Sequence, residues 1–158
     1  MGTEIERKFL VVGDGWRQQA DRGTPYRQGY LAGTGNASVR VRLEGDQAFL
    51  NIKSATLGVR RHEFQYSLPI ADAQFMLENL CEQPLVEKIR YHVQHAGHLW
   101  EIDEFAGDNA GLLVAEVELT HEDEPVALPP WVGAEVSHDP RYYNVSLVKH
   151  PYGQWKQP

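Results

Sequence analysis

Polar and apolar residues alternate with period two along most of the chain, the signature of half-buried strands rather than helices. Residues 3–12 set Glu4, Glu6 and Lys8 against Ile5, Arg7 and Phe9. Residues 37–43 set Ser38, Arg40 and Arg42 against Val39, Val41 and Leu43, and residues 48–54 set Asn51 and Lys53 against Leu50 and Ile52. In 60–68, Arg61, Glu63 and Gln65 oppose His62, Phe64, Tyr66 and Leu68. The pattern recurs in 86–92 (Lys88, Arg90 against Ile89, Tyr91), 99–105 (Glu101, Asp103 against Trp100, Ile102) and 113–120 (Glu116, Glu118 against Ala115, Val117, Leu119). With a strand at 26–32 the count is about eight, enough to close a small barrel. Gly33-Thr34-Gly35-Asn36, Glu44-Gly45-Asp46 and Ala96-Gly97-His98 read as hairpin connections, and their shortness favours antiparallel neighbours. Ala71–Cys81 carries Phe75, Met76, Leu77 and Leu80 at helical spacing. Segments near 14–21, 129–136 and 141–148 are weaker helix candidates. The fold class is mainly β (α+β), an antiparallel sheet with a few helices at its margins.

The polar faces are unusual. A sheet that merely faces water mixes its polar residue types, whereas here each face is dominated by one sign at i and i+2. Glu101/Asp103 and Glu116/Glu118 are acidic pairs, Arg40/Arg42 and Lys88/Arg90 basic ones, and the first strand carries two acids and then a base. Like charges two apart on one face repel, so stability alone does not select them. A charged interior neutralised by a ligand and metal ions explains them. Carboxylates without an accompanying Cys or well-placed His suit hard cations such as Mg2+ or Mn2+. Arg and Lys on facing strands supply fixed positive charge for a polyanion, and the Arg fork matches phosphate oxygens. Together the two sets are what metal-assisted phosphoryl transfer requires.

Composition narrows the setting. The 158 residues suit one domain spanning 1–158, and 42% hydrophobic with 23% charged residues excludes disorder as the dominant state. No apolar run approaches the roughly 20 residues of a membrane span. The net charge of −7 argues against non-specific nucleic-acid binding, though a local pocket can still oppose that sign for a small anion. A single cysteine, Cys81, allows no intrachain disulfide, and the charged start Met-Gly-Thr-Glu-Ile-Glu-Arg-Lys lacks an apolar signal core, so a cytoplasmic location is expected.

Glu4-x-Glu6-x-Lys8, within Glu4-Ile5-Glu6-Arg7-Lys8-Phe9-Leu10-Val11, resembles the opening signature of the triphosphate tunnel metalloenzymes, the CYTH superfamily. Arg40-x-Arg42, Lys53, Glu63, Lys88-x-Arg90, Asp103, Glu116-x-Glu118 and the late Arg141-Tyr142-Tyr143-Asn144 follow in the family's order, so the resemblance runs from residue 3 to about 148. It implies a closed eight-stranded antiparallel β-tunnel with a charged lumen. It also implies hydrolysis of tripolyphosphate to pyrophosphate and phosphate, dependent on Mg2+ or Mn2+. Residue by residue, it implies Glu4, Glu6 and Glu118 as holders of the bridging cation. Asp103 and Glu116, with Glu63, are implied as holders of a second cation or of the attacking water. Arg40, Arg42, Lys53, Lys88 and Arg90 are expected to bind phosphates, Lys8 to act at the reacting end, and Tyr30 to close one tunnel mouth.

Two departures stand out: Gln65 where close relatives often have a second acid, and Tyr143 and Val145 where relatives can carry Lys. Three other readings stay open on the sequence: a class IV adenylate cyclase, an organic triphosphatase with Tyr30, Trp16 or Trp155 as an aromatic wall, and a non-catalytic polyphosphate-binding module. A homodimer is expected only by analogy. His92, His95 and His98 straddle a predicted turn and need not converge on a metal. Arg7 is read as a surface residue, His62 as a packing or surface residue, Cys81 as a small buried hydrophobe, Glu122-Asp123-Glu124 as a solvated loop, and Trp131 as a packing anchor.

Overall fold

A computed structural model describes residues 2–55 and 59–155. The alternating segments form strands β1 (Gly2–Val11), β2 (Thr24–Gly33), β3 (Ala37–Glu44), β4 (Gln47–Ser54), β5 (Arg60–Ser67), β6 (Val86–His95), β7 (His98–Phe105) and β8 (Leu113–Glu118). They pair antiparallel in the order β5-β4-β3-β2-β6-β7-β8-β1. The sheet then closes on itself, because the start of β1 pairs β5 (Glu4 opposite Arg61) while its later part pairs β8 (Lys8 opposite Glu116). Closure removes the sheet edges and gives every strand an inner and an outer face. The predicted hairpins are present. At the β6–β7 turn Ala96 and Gly97 both take positive φ (48° and 84°), the conformation a two-residue type I′ connection needs.

Most of the apolar core lies outside the barrel. Ile5, Phe9, Val93, Trp100, Ile102, Ala115 and Val117 point outward and are buried beneath Trp16 and Trp131. Trp131 meets Trp100 edge-on at 5.5 Å and Phe9 meets Trp100 at 5.6 Å. Each such aromatic side chain contributes about 4–6 kcal/mol of gross transfer free energy on burial. A second outer cluster (Val41, Ala48, Ala73, Leu77, Cys81) lies under helix α1 (Ile70–Asn79). The third cluster is different: Tyr30, Val86, Phe105 and Val114, with Leu10 beside them, come from inner faces and meet Leu147 and Val148 of helix α2 (Asn144–Lys149). Here α2 packs as an apolar stopper at the end of the barrel where β1 finishes. The remaining inner face is polar: Lys8, Gln28, Arg40, Asn51, Lys88, Asp103 and Glu116 are all buried. No helix of the described residues is long and apolar enough to cross a membrane.

The weaker helix candidates fare unevenly. Residues 14–21 form only a 3-10 turn at Gly15–Gln19, and 141–148 divides into a 3-10 turn at Pro140–Tyr142 and α2. Residues 129–136 are not helical. They form a ninth strand, β9 (Val132–Glu135), against β1, with Phe9 opposite Glu135 and Val11 opposite Val132. Gly133 permits the approach, since a Cβ there would stand 2.9 Å from Val12 Cγ1 and 3.3 Å from the Leu10 carbonyl oxygen. Cys81 and Trp131 are buried and His62 is exposed, as expected. Arg7 is half-buried and paired to Glu135 at 2.8 Å. Glu124 departs from the solvated loop, accepting from the Thr120 amide and hydroxyl and pairing with His98. His92 turns instead to Asp21 and Glu101. The three histidines do not converge.

Candidate active site

Because side chains alternate across a strand, most of the charged positions at i and i+2 enter one cavity. Its wall brings together Glu4, Glu6 and Lys8 of β1, Tyr30 of β2, Arg40 and Arg42 of β3, Lys53 of β4, Glu63 of β5, Lys88 and Arg90 of β6, and Glu116 and Glu118 of β8. Seven Lys and Arg face six Glu there. Register places like charges directly opposite, Glu6 against Glu118 and Glu101 against Glu116, an arrangement that costs stability.

The carboxyls divide into two groups. Burial, with the Glu116 and Glu4 carboxylates, pushes Glu6 up to about 8. Burial also raises Glu4, despite Lys53, and raises Glu118, helped by Glu4 and Glu101. The other group is fully compensated. Burial opposes ionisation of Glu116, but Lys8, Arg90 and Lys88 outweigh it and hold the carboxyl well below its usual range. Glu63 is likewise lowered against burial, by a hydrogen bond shared with Glu4 and by Lys53 and Arg40. Among the bases, burial brings Lys88 down to about 8, and burial together with Arg40 lowers Lys53.

The first group has the chemistry of a divalent-cation site: three oxygen-donor side chains whose ionised forms the neighbouring bases only partly compensate. Among the described residues, no three acidic, imidazole or thiol side chains stand close enough to hold an ion as they are. Glu4 is drawn aside by Lys53 at 3.3 Å and Glu6 by Arg61 at 3.6 Å, so these two carboxyls would have to leave their basic partners to hold an ion with Glu118. The cationic side of the wall is also incompletely satisfied. Arg40 Nε, Arg42 Nε, Arg61 Nε and Gln28 Oε1 are buried without a hydrogen-bond partner, as in a wall that meets a polar ligand.

This ordered set of acids and bases inside a closed eight-stranded barrel matches a known family. A CYTH domain model matches residues 2–152. The chain belongs to the CYTH family. It is 46% identical to an inorganic triphosphatase of Acetivibrio thermocellus over 157 residues, covering 99% of this chain and all of that one. It is 40% identical to an inorganic triphosphatase of Nitrosomonas europaea over 150 residues, covering 92% and 97%. A crystal structure of an inorganic triphosphatase superposes with a TM-score of 0.67 at 38% identity, covering 94% of this chain and 95% of that one. Triphosphatases of the CYTH family are metal-dependent.

Within this CYTH barrel Asp103 stands apart from the cation-holding place expected of it. It is buried behind the cavity wall, accepting from Lys88 Nζ at 2.7 Å and from Arg90 Nε and Nη2 at 2.7 and 2.8 Å. Both oxygens are thereby committed to bases, because β6 and β7 pair Arg90 opposite Asp103. Tyr30 lines the cavity at the end stopped by α2. Trp16 is buried outside the barrel, and Trp155 packs against Tyr142 and Tyr152, so neither forms an aromatic wall of the cavity.

Several wall residues were given no site role from the sequence. Arg61, two before Glu63, bridges towards Glu4 and Glu6 (3.8 and 3.6 Å), and its place on the inner face of β5 was the available signal. Glu101 lines the cavity and pairs with Arg90 at 3.3 Å. Asn144 Oδ1 accepts from Gln28 Nε2 at 3.0 Å and Lys88 Nζ at 3.3 Å. No local pattern marks a contact between α2 and β6. Tyr26, the remaining aromatic of β2's inner face, lies 5.8, 5.7 and 5.1 Å from the cationic groups of Arg42, Lys88 and Arg90.

Proposed function

We propose that this protein hydrolyses inorganic triphosphate to pyrophosphate and phosphate, with Mg2+ or Mn2+ as the required ion. One observation carries the reading: the facing acids Glu6 and Glu118 share a closed cavity with Arg40, Arg42, Lys53, Lys88 and Arg90. With seven bases against six acids, the wall is too nearly neutral to hold a triphosphate's several negative charges by itself. Carboxylates in such a cavity repel the anion unless a cation intervenes. The names of the two close relatives support the same reaction.

Glu4, Glu6 and Glu118 would hold the ion. When bound, it neutralises phosphate oxygens and stabilises the charge that develops during transfer. Arg40, Arg42, Lys53, Lys88 and Arg90 hold the phosphate chain, and Asp103 keeps Lys88 and Arg90 pointed at it. Glu116, kept ionised by its neighbours, accepts a hydrogen bond from the attacking water and orients it, with Glu63 in support. The water oxygen bonds to a terminal phosphorus as the bridging P–O bond breaks, and the bond pair leaves with pyrophosphate. One water proton stays on the phosphate and the other passes to the pyrophosphate. Lys8, 3.5 Å from Glu116, is placed to polarise the transferred group.

The aromatic side chains favour an inorganic substrate. Of those lining the cavity, Tyr26 is covered by cations, Tyr143 lies against Lys8 and Arg61, and Tyr30 is packed in the apolar stopper. None offers a free face to an adenine or thiamine ring. The experiment is a comparison of tripolyphosphate, ATP and thiamine triphosphate, each with Mg2+, Mn2+ or EDTA. The highest kcat/KM is expected for tripolyphosphate, with no turnover in EDTA. Higher kcat/KM for either organic substrate, or formation of cyclic AMP, would overturn the reading.

A further inference from the structure

We infer that Tyr143 is a positioning residue for Lys8. The inference rests on the triphosphatase reading, in which Lys8 acts on the transferred phosphoryl group. Tyr143 lines the cavity at the start of α2. Its ring centre lies 5.4 Å from Lys8 Nζ and 5.5 Å from the Arg61 guanidinium carbon. An aromatic ring's electron-rich face attracts cations, so one side chain holds near each other two groups that would otherwise separate.

The ring is itself held in place. The Tyr143 hydroxyl donates to the Ser137 carbonyl at 2.8 Å. Ser137 Oγ accepts the backbone amide of Lys8 at 2.9 Å, and the Val136 amide donates to the Lys8 carbonyl at 2.8 Å. The Lys8 ammonium donates to the Tyr142 carbonyl at 3.3 Å. These contacts form a circuit from the Lys8 backbone through Ser137 and Tyr143 to the Lys8 ammonium. The segment that fixes where β1 lies also fixes where its reactive end points. Tyr143 lies against Lys8 and Arg61, neither of them among the bases proposed to hold the phosphate chain, so its loss should affect the chemical step more than ground-state binding.

The test is a double-mutant cycle with an independent reading of Lys8. Tyr143→Leu should lower kcat for tripolyphosphate on the order of tenfold to a hundredfold, with KM within about twofold. Tyr143→Phe keeps the ring but loses the hydroxyl's hydrogen bond to Ser137, so its kcat should fall between wild type and Tyr143→Leu. In a Lys8→Gln background, Tyr143→Leu should cause little further loss, because its effect passes through Lys8. The ε-methylene resonance of Lys8, assigned by its disappearance in Lys8→Gln, should show an aromatic ring-current shift that survives Tyr143→Phe and vanishes in Tyr143→Leu. Equal losses in both backgrounds, a KM effect at constant kcat, or a Lys8 resonance indifferent to Tyr143→Leu would overturn the inference. If the wild-type protein leaves tripolyphosphate intact, the functional reading fails, while the resonance still decides whether Tyr143 holds Lys8.

Discussion

Glu6 and Glu118 face each other across the β1–β8 ladder, inside the barrel. Burial and neighbouring carboxylates leave both with raised pKa values, Glu6 at about 8. A protein built for stability alone would place unlike charges there. Glu6→Gln should therefore lower triphosphatase activity by on the order of 100-fold or more, since loss of even an outer-shell partner of a metal ligand costs 10–100-fold. The same change should raise the Tm of the metal-free protein by relieving repulsion. Parallel kcat and calorimetric measurements check both directions.

The stability of the metal-free protein should depend on pH through the same residue. An acid whose folded pKa lies above its unfolded value binds its proton more tightly in the folded state. It contributes stability that is fully present below the unfolded value, about 4.5 for Glu, and is lost as pH rises through the folded value, about 8 for Glu6. In EDTA, wild type and Glu6→Gln should have similar Tm near pH 4.5. Wild type should then fall progressively below the variant up to about pH 8. A constant Tm difference over that window would contradict the assignment.

Asp103→Asn separates a positioning role from a metal-binding one. Asp103 is buried with Lys88 and Arg90 on its oxygens, and removing one partner of a buried ion pair costs about 3–5 kcal/mol. The variant should show a lower Tm and a raised KM for tripolyphosphate, because the two bases proposed to hold the phosphate chain lose their support. Its Mg2+ or Mn2+ activation midpoint should stay close to wild type. A midpoint shifted tenfold or more would return Asp103 to the ion.

Eight strands and the inward charges were legible because both obey one rule, alternation, that survives in the primary sequence. Lys8, Arg40 and Glu116 could be assigned to an inner face without knowing which strands were neighbours. Strand β9 was not legible, since Val132, Gly133, Ala134 and Glu135 are too few to show a period and are held by pairing with β1, more than 120 residues earlier. The fate of Asp103 was equally hidden. Its spacing from Glu101 places it inside, but only the β6–β7 register shows that Arg90 lies directly opposite it. The contacts of Tyr143 and Asn144 depend on how α2 enters the barrel, for which the sequence offers no periodic clue.

The outer aromatic cluster carries its own expectation. Trp131 is buried edge-on against Trp100 and follows the chain segment that leads into β9. Trp131→Ala should destabilise the protein by about 3–5 kcal/mol, the usual cost of truncating a large buried aromatic. Activity at temperatures below the lowered Tm should change little, because the ring lies outside the barrel. Denaturant unfolding with an assay at low temperature checks both parts.

The most direct measurement is 31P NMR of tripolyphosphate incubated with the purified protein and Mg2+, alongside Glu6→Gln and an EDTA control. Wild type should convert the tripolyphosphate signals into those of pyrophosphate and phosphate, while the variant and the chelated sample leave them standing. Undiminished tripolyphosphate with wild type under either Mg2+ or Mn2+, or equal conversion by wild type and Glu6→Gln, would contradict the account.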